Sequence, residues 1–271
     1  MGGGLGATSL YHWKKIGDEM TKIILVFISI LLVFGCKNPI TQPNESQEGI
    51  LLHKTYTSPN TNTFTEYFYN DSSNLEMVQS FDNGDLARQT EYEYNGNQNI
   101  VKVITFHNYF GVPEYSYSTN EYNGQGLLTS AFFYLKMSDN NYELRSVAKY
   151  EYDSNQRLNK SSILTSDSVE VKYTLYIYDE NGNIIETNFY QNGSLSFNDK
   201  YEYDNMNNPL KQKTTFNSIF NISPNNVVKH SQINYMMGND QSIVNYSYQY
   251  NNYGYPISCS YGSQKYYYNY Y

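Results

Sequence analysis

The sequence predicts an all-β protein, a long antiparallel meander of repeated hairpins that forms a curled open sheet or half-barrel. Three observations support this prediction. Tyrosine and phenylalanine, 32 and 13 of the 271 residues, fit half-buried pleated strands. Clusters of Asn, Gly and Ser recur along the chain and supply turns. A Tyr-x-Tyr-Asx unit recurs at spacings of 25 to 47 residues, in the range of a structural repeat.

The first sixty residues have the composition of targeting and tethering segments. Residues 1–19 are interpreted as a mis-called N-terminal extension, with Met20 as the true first residue. Residues 20–35 have the order of a lipoprotein signal peptide, in which Lys22 precedes an apolar run of 12 residues, too short to span a bilayer as a helix. Residues 36–60 are polar and interrupted by prolines, and we expect them to act as a tether.

The apolar run ends in a lipidation signal. Val33-Phe34-Gly35-Cys36 resembles the lipobox of bacterial lipoproteins, in which a small residue precedes a cysteine that is lipidated and becomes the mature N-terminus. The resemblance implies lipid attachment at Cys36, a membrane partner through that anchor, and a place in the bacterial cell envelope, at the outer membrane. The alternative is an ordinary cleavage site followed by an incidental cysteine. Lipidation of Cys36 would leave Cys259 without an intrachain disulfide partner.

Residues 61–271 form the predicted repeat domain. Seven units align on the second tyrosine, and the next residue is Asn or Asp in all seven. The first tyrosine, two positions earlier, is present in six units and is replaced by Asn120 in the other. The second tyrosines are Tyr69, Tyr94, Tyr122, Tyr152, Tyr178, Tyr203 and Tyr250. Because side chains alternate along a strand, the two tyrosines of a unit share one face and the residue between them lies on the other. Further turn clusters divide the domain into about sixteen strands.

Each unit ends in a predicted turn. The Asx side chain can bond back to the backbone two residues on, and Gly126, Gly182 and Gly254 lie where a positive φ would close the turn. An aliphatic residue or proline six positions after the second tyrosine begins the return strand, as Ile184 and Pro209 do. These features predict one hairpin for each unit.

Two places in the repeat domain are less regular. Between Tyr203 and Tyr250 the spacing rises to 47 residues, and turns at 221–226 and 238–240 would put the Tyr250 turn on the opposite edge of the sheet from its relatives. Either one of these turns is not a chain reversal or the repeat breaks there. The last segment, 266–271, has aromatic residues on both faces, which predicts that a ligand, a partner or a curled sheet covers it.

The clearest unit, Tyr176 to Ile184, has the pattern Y-x-Y-D-x-x-G-N-I. This pattern resembles the YD (tyrosine-aspartate) repeats of RHS and teneurin proteins, and of bacterial lipoproteins with a few degenerate copies. The resemblance covers about 190 residues, from Tyr67 to Pro256. In the large relatives such repeats wind into a shell that encloses cargo. Seven or eight copies are too few for such a shell, so the resemblance implies a curled antiparallel sheet without encapsulation.

The sequence contains no catalytic or metal-binding pattern, and we expect a protein that is not an enzyme and needs no cofactor. His53, His107 and His230 are far apart and lack the spacing of zinc ligands. Glu91 and Glu93 project from one strand face without an opposing wall, as solvated charges do. The net charge of −8 makes a nucleic-acid partner unexpected, because phosphate binding needs clustered Lys and Arg.

The tyrosine face is the feature with binding potential. Aromatic rings on a concave sheet can stack against sugars or hold an apolar ligand. The residues of this predicted ligand-stacking face are Tyr150, Tyr152, Tyr176, Tyr178, Tyr201 and Tyr203. The simpler interpretation is that such tyrosine ladders stabilise cross-strand packing.

For function we expect a structural or binding module that contacts a protein or glycan partner through this aromatic face. The alternative is a periplasmic carrier or chaperone that holds a lipid or another apolar ligand in the curled sheet. A barrel that spans the membrane is less favoured, because the strands lack a lipid-facing apolar row.

Overall fold

The structure is a computed structural model that describes residues 51–58, 62–109, 111–137, 140–211 and 222–271. The predicted extension, signal peptide and lipidation site lie outside the described residues, as does most of the predicted tether. The predicted all-β class is confirmed, with seventeen antiparallel strands and a 3-10 turn at Tyr235–Met237. No helix in the described ranges is both long and apolar enough to cross a membrane.

The strands are β1 (Leu52–Tyr56), β2 (Phe64–Tyr69), β3 (Leu75–Asp82), β4 (Asp85–Tyr94), β5 (Ile100–Tyr109), β6 (Val112–Tyr122), β7 (Leu128–Lys136), β8 (Tyr142–Tyr152), β9 (Leu158–Thr165), β10 (Glu170–Tyr178), β11 (Ile184–Gln191), β12 (Ser194–Asn207), β13 (Asn225–Asn234), β14 (Asp240–Asn245), β15 (Ser247–Tyr250), β16 (Pro256–Tyr261) and β17 (Gln264–Tyr270).

The strands form one sheet that returns to its starting point. Each strand from β1 to β13 pairs antiparallel with the next, and β15, β16 and β17 continue the meander. β17 then pairs with β1. β14 and β15 are two halves of one stretch, divided at Tyr246, and they pair with β13 and β16 respectively. The sheet therefore curls beyond a half-barrel into a nearly closed barrel, because its first and last strands are partners.

The turns that follow the second tyrosines lie at one end of this barrel, which we call the tyrosine end; the other turns lie at the opposite, distal end. The turn after Tyr178 shows the shared geometry. Asp179 Oδ1 accepts hydrogen bonds from the N–H groups of Asn181 (2.9 Å) and Asn183 (2.8 Å). The same two bonds recur in the turns that begin at residues 70, 95, 123, 153 and 251. The predicted role of the Asx residue is thus confirmed.

The fourth residue of these turns has a positive φ in all six copies. Three are glycines and three are not: Gly126, Gly182 and Gly254 have φ of 78°, 84° and 75°, and Ser73, Gln98 and Gln156 have φ of 60°, 62° and 61°. A side chain in the left-handed region costs about 1–2 kcal/mol, and glycine avoids that cost. Three turns are therefore mildly strained.

Relief of this strain is testable at Gln156. We expect Gln156→Gly to raise the free energy of unfolding by about 0.5–1 kcal/mol, since removal of the left-handed strain outweighs the greater entropy of an unfolded glycine. The matched change, Gly182→Ala, should lower it by about 1 kcal/mol. Urea unfolding of both variants measures the difference, and a loss of stability in Gln156→Gly would contradict the strain.

The long spacing in the sixth unit comes from an enlarged connection between β12 and β13. Tyr203 pairs with Val227, so Val227 is the return-strand residue of this unit and Pro209 is not. Residues 222–224 lead directly into β13, which pairs with β12, so they are the end of this one connection. They therefore add no second chain reversal, and the turn after Tyr250 lies at the tyrosine end with its relatives.

One face of the sheet lines the interior and the other carries the charges. Tyr92, Tyr201 and Tyr248 are only 7%, 7% and 6% exposed, whereas Glu91 and Glu93, next to Tyr92 on the opposite face, are exposed. A single-layer sheet can bury one face this completely only by closing around it. The first tyrosine of a unit, or Asn120 in the unit of Tyr122, therefore points into the barrel, and the charged face points outward.

Candidate functional site

The second tyrosines form a ring of hydrogen bonds around the tyrosine end. In seven units the hydroxyl donates to a backbone carbonyl oxygen at the start of the preceding return strand, at 2.6–2.9 Å. The donors and acceptors are Tyr69 and Leu52, Tyr94 and Leu75, Tyr122 and Ile100, Tyr152 and Leu128, Tyr178 and Leu158, Tyr203 and Ile184, and Tyr270 and Pro256. Each hydroxyl thus joins one hairpin to the one before it.

The seven units found in the sequence become eight in the structure. Tyr268 and Tyr270 make an eighth Tyr-x-Tyr pair, and its return strand is β1 from the other end of the sheet. Leu52 pairs with Tyr270 in the register that Ile184 has with Tyr178. The N–H of Tyr271 donates to the carbonyl oxygen of Leu51 at 3.0 Å. β1 therefore covers the aromatic last strand, β17. Of the predicted alternatives for this strand, a ligand, a partner or a curled sheet, the curled sheet is the one that the structure shows.

The ring has a different acceptor next to the enlarged connection. The Tyr250 hydroxyl donates to Oδ2 of Asp204 instead of a carbonyl oxygen. Asp204 Oδ1 also accepts from the N–H groups of Met206 (2.9 Å) and Asn226 (3.1 Å). Burial raises the pKa of the Asp204 carboxyl above its ordinary value, against these hydrogen bonds. One carboxylate therefore joins β12, β13 and β15.

The six tyrosines predicted as a ligand-stacking face lie in or beside this ring. Tyr150, Tyr176 and Tyr201 point into the barrel, and Tyr152, Tyr178 and Tyr203 are ring donors. The Tyr176 hydroxyl is 2.9 Å from Ser161 Oγ, and the Tyr201 hydroxyl is 3.4 Å from Thr187 Oγ1. Burial raises the pKa of Tyr152 to about 12. These contacts suit cross-strand packing, and a ligand-stacking role for the six stays a prediction.

The structure does not bring His53, His107 and His230 together. The His53 ring is tilted against the Tyr271 ring with centroids 4.4 Å apart, and His230 Nε2 lies 2.6 Å from Asp199 Oδ1 inside the barrel. His107 pairs across strands with Arg88, and burial, helped by that guanidinium, lowers the pKa of His107 to about 4. Over the described ranges, no three His, Cys, Asp or Glu side chains lie close enough to hold a metal ion.

A second aromatic surface lies on the outer face, where the sequence analysis placed no site. It contains a cleft of about 330 Å³, which we call the outer cleft. The cleft is lined by Leu86, Gln89, Glu91, Ile104, Phe106 and Tyr115. Phe106 and Tyr115 are cross-strand partners with ring centroids 5.3 Å apart, and Tyr115 is 41% exposed. A ligand can therefore reach an aromatic surface from solvent.

Polar side chains line one side of the outer cleft in a fixed order. Gln79 Nε2 donates to Gln89 Oε1 at 2.6 Å, and Gln89 Nε2 donates to Glu91 Oε1 at 2.6 Å. These bonds orient the Gln89 amide, while Glu91 remains exposed and its carboxylate can accept further hydrogen bonds. Phe106 from the neighbouring strand supplies the wall that the sequence did not reveal beside Glu91.

Aromatic side chains continue beyond the cleft along the outer face of β6 to β8. The Tyr117 ring stacks on Tyr134 at 4.6 Å and meets Tyr142 edge-on at 4.9 Å. The Lys136 ammonium lies 5.1 Å from the centroid of Tyr115. Tyr142 is 43% exposed, so this extension also offers contact area to a partner.

Comparison with known proteins supports the fold alone. No family model matches the chain, and no curated protein matches it significantly. A porin-like protein from Bacteroides uniformis ATCC 8492 superposes with a TM-score of 0.53 at 11% identity, over 81% of this chain and 97% of that one.

Two further solved structures are less similar. A porin-like protein from Bacteroides vulgatus ATCC 8482 gives a TM-score of 0.49 at 13% identity, over 82% of this chain and 99% of that one. The Photorhabdus luminescens Tc holotoxin pore gives 0.30 at 13% identity, over 76% of this chain and 9% of that one. Neither supports an argument about this chain.

Proposed function

We propose that this protein is a non-catalytic cell-envelope lipoprotein of degenerate YD repeats that binds a neutral glycan in the outer cleft. The outer cleft is the observation that carries the proposal, because exposed aromatic rings and oriented polar side chains meet there. The lipobox-like segment at Cys36 supports an envelope location. The porin-like description of the Bacteroides uniformis protein that shares the fold agrees with that location.

The size and chemistry of the outer cleft favour a sugar. Its volume of about 330 Å³ is at the lower end of small-molecule sites. The rings of Phe106 and Tyr115 can pack against the C–H face of a pyranose, and Gln89 and Glu91 can bond its hydroxyls. Because the lining residues include a carboxylate and no cation, an uncharged sugar is favoured over an acidic one.

The two other functions considered from the sequence receive less support. A protein partner could use the exposed aromatic extension around Tyr142, although the cleft itself is too small for a protein surface. A carrier of lipid or apolar ligands would need an apolar interior. Buried polar side chains such as Thr90, Ser118 and Asn120 occupy interior positions here, which suits an acyl chain poorly.

Glycan binding is testable by titrating neutral oligosaccharides into the full-length lipidated chain in detergent. We expect Tyr115→Ala to weaken binding about five- to tenfold, because one aromatic contact contributes roughly 1 kcal/mol. Glu91→Gln should weaken binding several-fold by replacing a charged acceptor with a neutral one. The bound sugar should be recovered unchanged, as a non-catalytic module requires.

Tyr173→Ala is the matched control, because Tyr173 also stacks on the outer face, at 4.5 Å from Tyr190, but does not line the cleft. Binding should survive this change. Equal loss in Tyr115→Ala and Tyr173→Ala, or loss in neither, would remove the outer cleft as the site.

A further inference from the structure

The distal end of the barrel presents apolar side chains at its turn tips. Val112 and Val169 are 66% and 58% exposed, and Met236 and Met237 are 52% and 72% exposed. They occupy the turns after β5, β9 and β13, so they are spread around the rim. Turns at the tyrosine end consist mostly of Asn, Asp, Gly, Ser and Gln, with Tyr253 as an exposed aromatic residue at 47%. The two ends therefore differ in polarity.

The methionine tip is held in a defined shape. Asn234 caps the 3-10 turn by accepting a hydrogen bond from the Met236 N–H at 3.1 Å. Gly238 ends the turn with φ of 78°. The backbone thus fixes the outward display of two flexible, apolar thioether side chains, which adapt readily to an irregular apolar surface.

Behind the tips, the outer wall of the barrel carries stacked aromatic side chains. Four stacked aromatic pairs lie in the distal half: Tyr56 and Tyr267, Phe64 and Phe81, Tyr117 and Tyr134, and Tyr173 and Tyr190. Towards the tyrosine end, cross-strand ion pairs follow: Lys102 with Glu93, Lys200 with Glu186, and Lys229 with Glu202. Ion pairs also occur in the distal half, as between Lys160 and Glu170, and Ile177 is exposed near the tyrosine end. The stacked aromatic pairs are nevertheless concentrated in the distal half, where they form an aromatic belt.

We propose that the distal end seats on a bilayer surface of zwitterionic lipids. The apolar tips would enter the boundary between headgroups and acyl chains, and the aromatic belt would lie at headgroup level. Apolar side chains spread around a convex rim match a deformable lipid layer, whereas a folded partner would need one contiguous patch. This inference rests on the envelope location in the proposed function.

The charge of the distal turns indicates which lipids the distal end would contact. The net charge is −8, and the turns that carry the apolar tips contain no Lys or Arg but include the exposed carboxylates of Asp167 and Asp240. Anionic lipids attract clustered basic residues, so they would not be favoured here, and seating should depend little on salt. The acidic β3–β4 turn, with Asp82 and Asp85, would stay in the headgroup layer.

The predicted lipid anchor is compatible with this orientation. β1 enters the barrel at the tyrosine end, where Leu52 pairs with Tyr270. The fourteen residues between Cys36 and Leu51 can span at most about 50 Å. A ten-residue strand covers about 33 Å. The anchor and the distal end can therefore reach the same bilayer and act as two linked attachments.

The experiment places an environment-sensitive fluorophore at Met237→Cys in the full-length lipidated chain, with Cys259→Ser as background, in phosphatidylcholine vesicles. Tyr253→Cys is the matched position at the tyrosine end. We expect blue-shifted emission and at least threefold quenching by brominated lipid chains at position 237, and neither effect at position 253. Val112→Cys and Val169→Cys should behave like Met237→Cys.

Quenching at position 253 alone, or at neither position, would overturn the proposal. So would a blue shift at position 237 that grows with protein concentration and resists brominated lipids, because a protein partner would then cover the tip. The proposed function fails independently, since glycan binding is measured at Tyr115 and lipidation at Cys36 is measured by mass spectrometry. If the chain is not lipidated, the unlipidated chain can be added to the vesicles, and the same fluorescence measurements still test contact between the distal end and the bilayer.

Discussion

A disulfide between positions 54 and 269 is expected to raise the free energy of unfolding by up to about 5 kcal/mol. Lys54 and Asn269 are direct partners across the β1–β17 seam, and cross-strand Cβ atoms lie about 4.5–5.5 Å apart, close to disulfide geometry. The bond would enclose nearly the whole repeat domain, so it removes a large loop entropy from the unfolded chain. Urea unfolding of Lys54→Cys/Asn269→Cys in the Cys259→Ser background, oxidised against reduced, measures the gain.

The control uses the same kind of pair inside the sheet. Glu93 and Lys102 are also outward-facing direct partners, but a bond between them encloses only a short loop and should add about 3 kcal/mol or less. The difference between the stability gained from the 54/269 disulfide and that gained from the 93/102 disulfide measures the effect of joining β1 to β17. Oxidation of the 54/269 pair into intermolecular dimers, or no oxidation at all, would mean that β1 and β17 are not neighbours.

We expect Asp204→Ala to lower the free energy of unfolding more than Asp204→Asn does. Asp204→Ala leaves the Tyr250 hydroxyl and the Met206 and Asn226 N–H groups without their acceptor. Unsatisfied groups cost about 1–3 kcal/mol each when buried, so we expect a loss of about 3–4 kcal/mol at this partly buried site. Asp204→Asn keeps one acceptor oxygen and should lose about half as much.

The natural protein and Asp204→Asn together test the burial of the Asp204 carboxylate. Burial raises its pKa in the folded state, so the folded protein holds the proton more tightly than the unfolded chain does. The stability that protonation adds is fully present below the unfolded pKa of about 3.9 and is lost as the pH rises through the folded pKa. The advantage of the natural protein over Asp204→Asn should therefore shrink as the pH rises in the acid range. Parallel pH profiles of unfolding would contradict this assignment.

Local features of the fold were predictable from the sequence because they depend on neighbouring residues. The Asx turn after Tyr178 needs only Asp179 and the four residues that follow it, and its geometry agrees with the prediction. Strand alternation likewise placed Tyr176 and Tyr178 together on one face. Period-2 alternation and turn chemistry are both local, so one sequence contains them in full.

Ring closure was not predictable by the same means. The eighth unit takes Tyr268 and Tyr270 from the last strand and Leu52 from the first, so no window of sequence contains it. The enlarged connection misled the alignment in a similar way. A fixed offset of six residues selected Pro209, whereas the pairing selects Val227 across the connection.

The outer cleft was missed because its walls come from different hairpins. Alternation shows that Glu91 and Phe106 both point outward. It does not show how the register across β4, β5 and β6 sets Tyr115 beside Phe106 and Phe106 close to Glu91. The interpretation of Glu91 as a solvated charge therefore lacked its aromatic neighbour, which only the pairing supplies.

The shared eighth unit also has a consequence for biosynthesis. During synthesis β1 emerges before the other strands that the structure describes, yet its partner β17 is made after them. Until then the growing sheet has unpaired N–H and C=O groups at β1 and at its newest strand, a configuration prone to aggregation and proteolysis. A chain that stops before β17 keeps both edges open, so we expect such truncated chains to be degraded by proteases faster than chains in which β1 and β17 are paired.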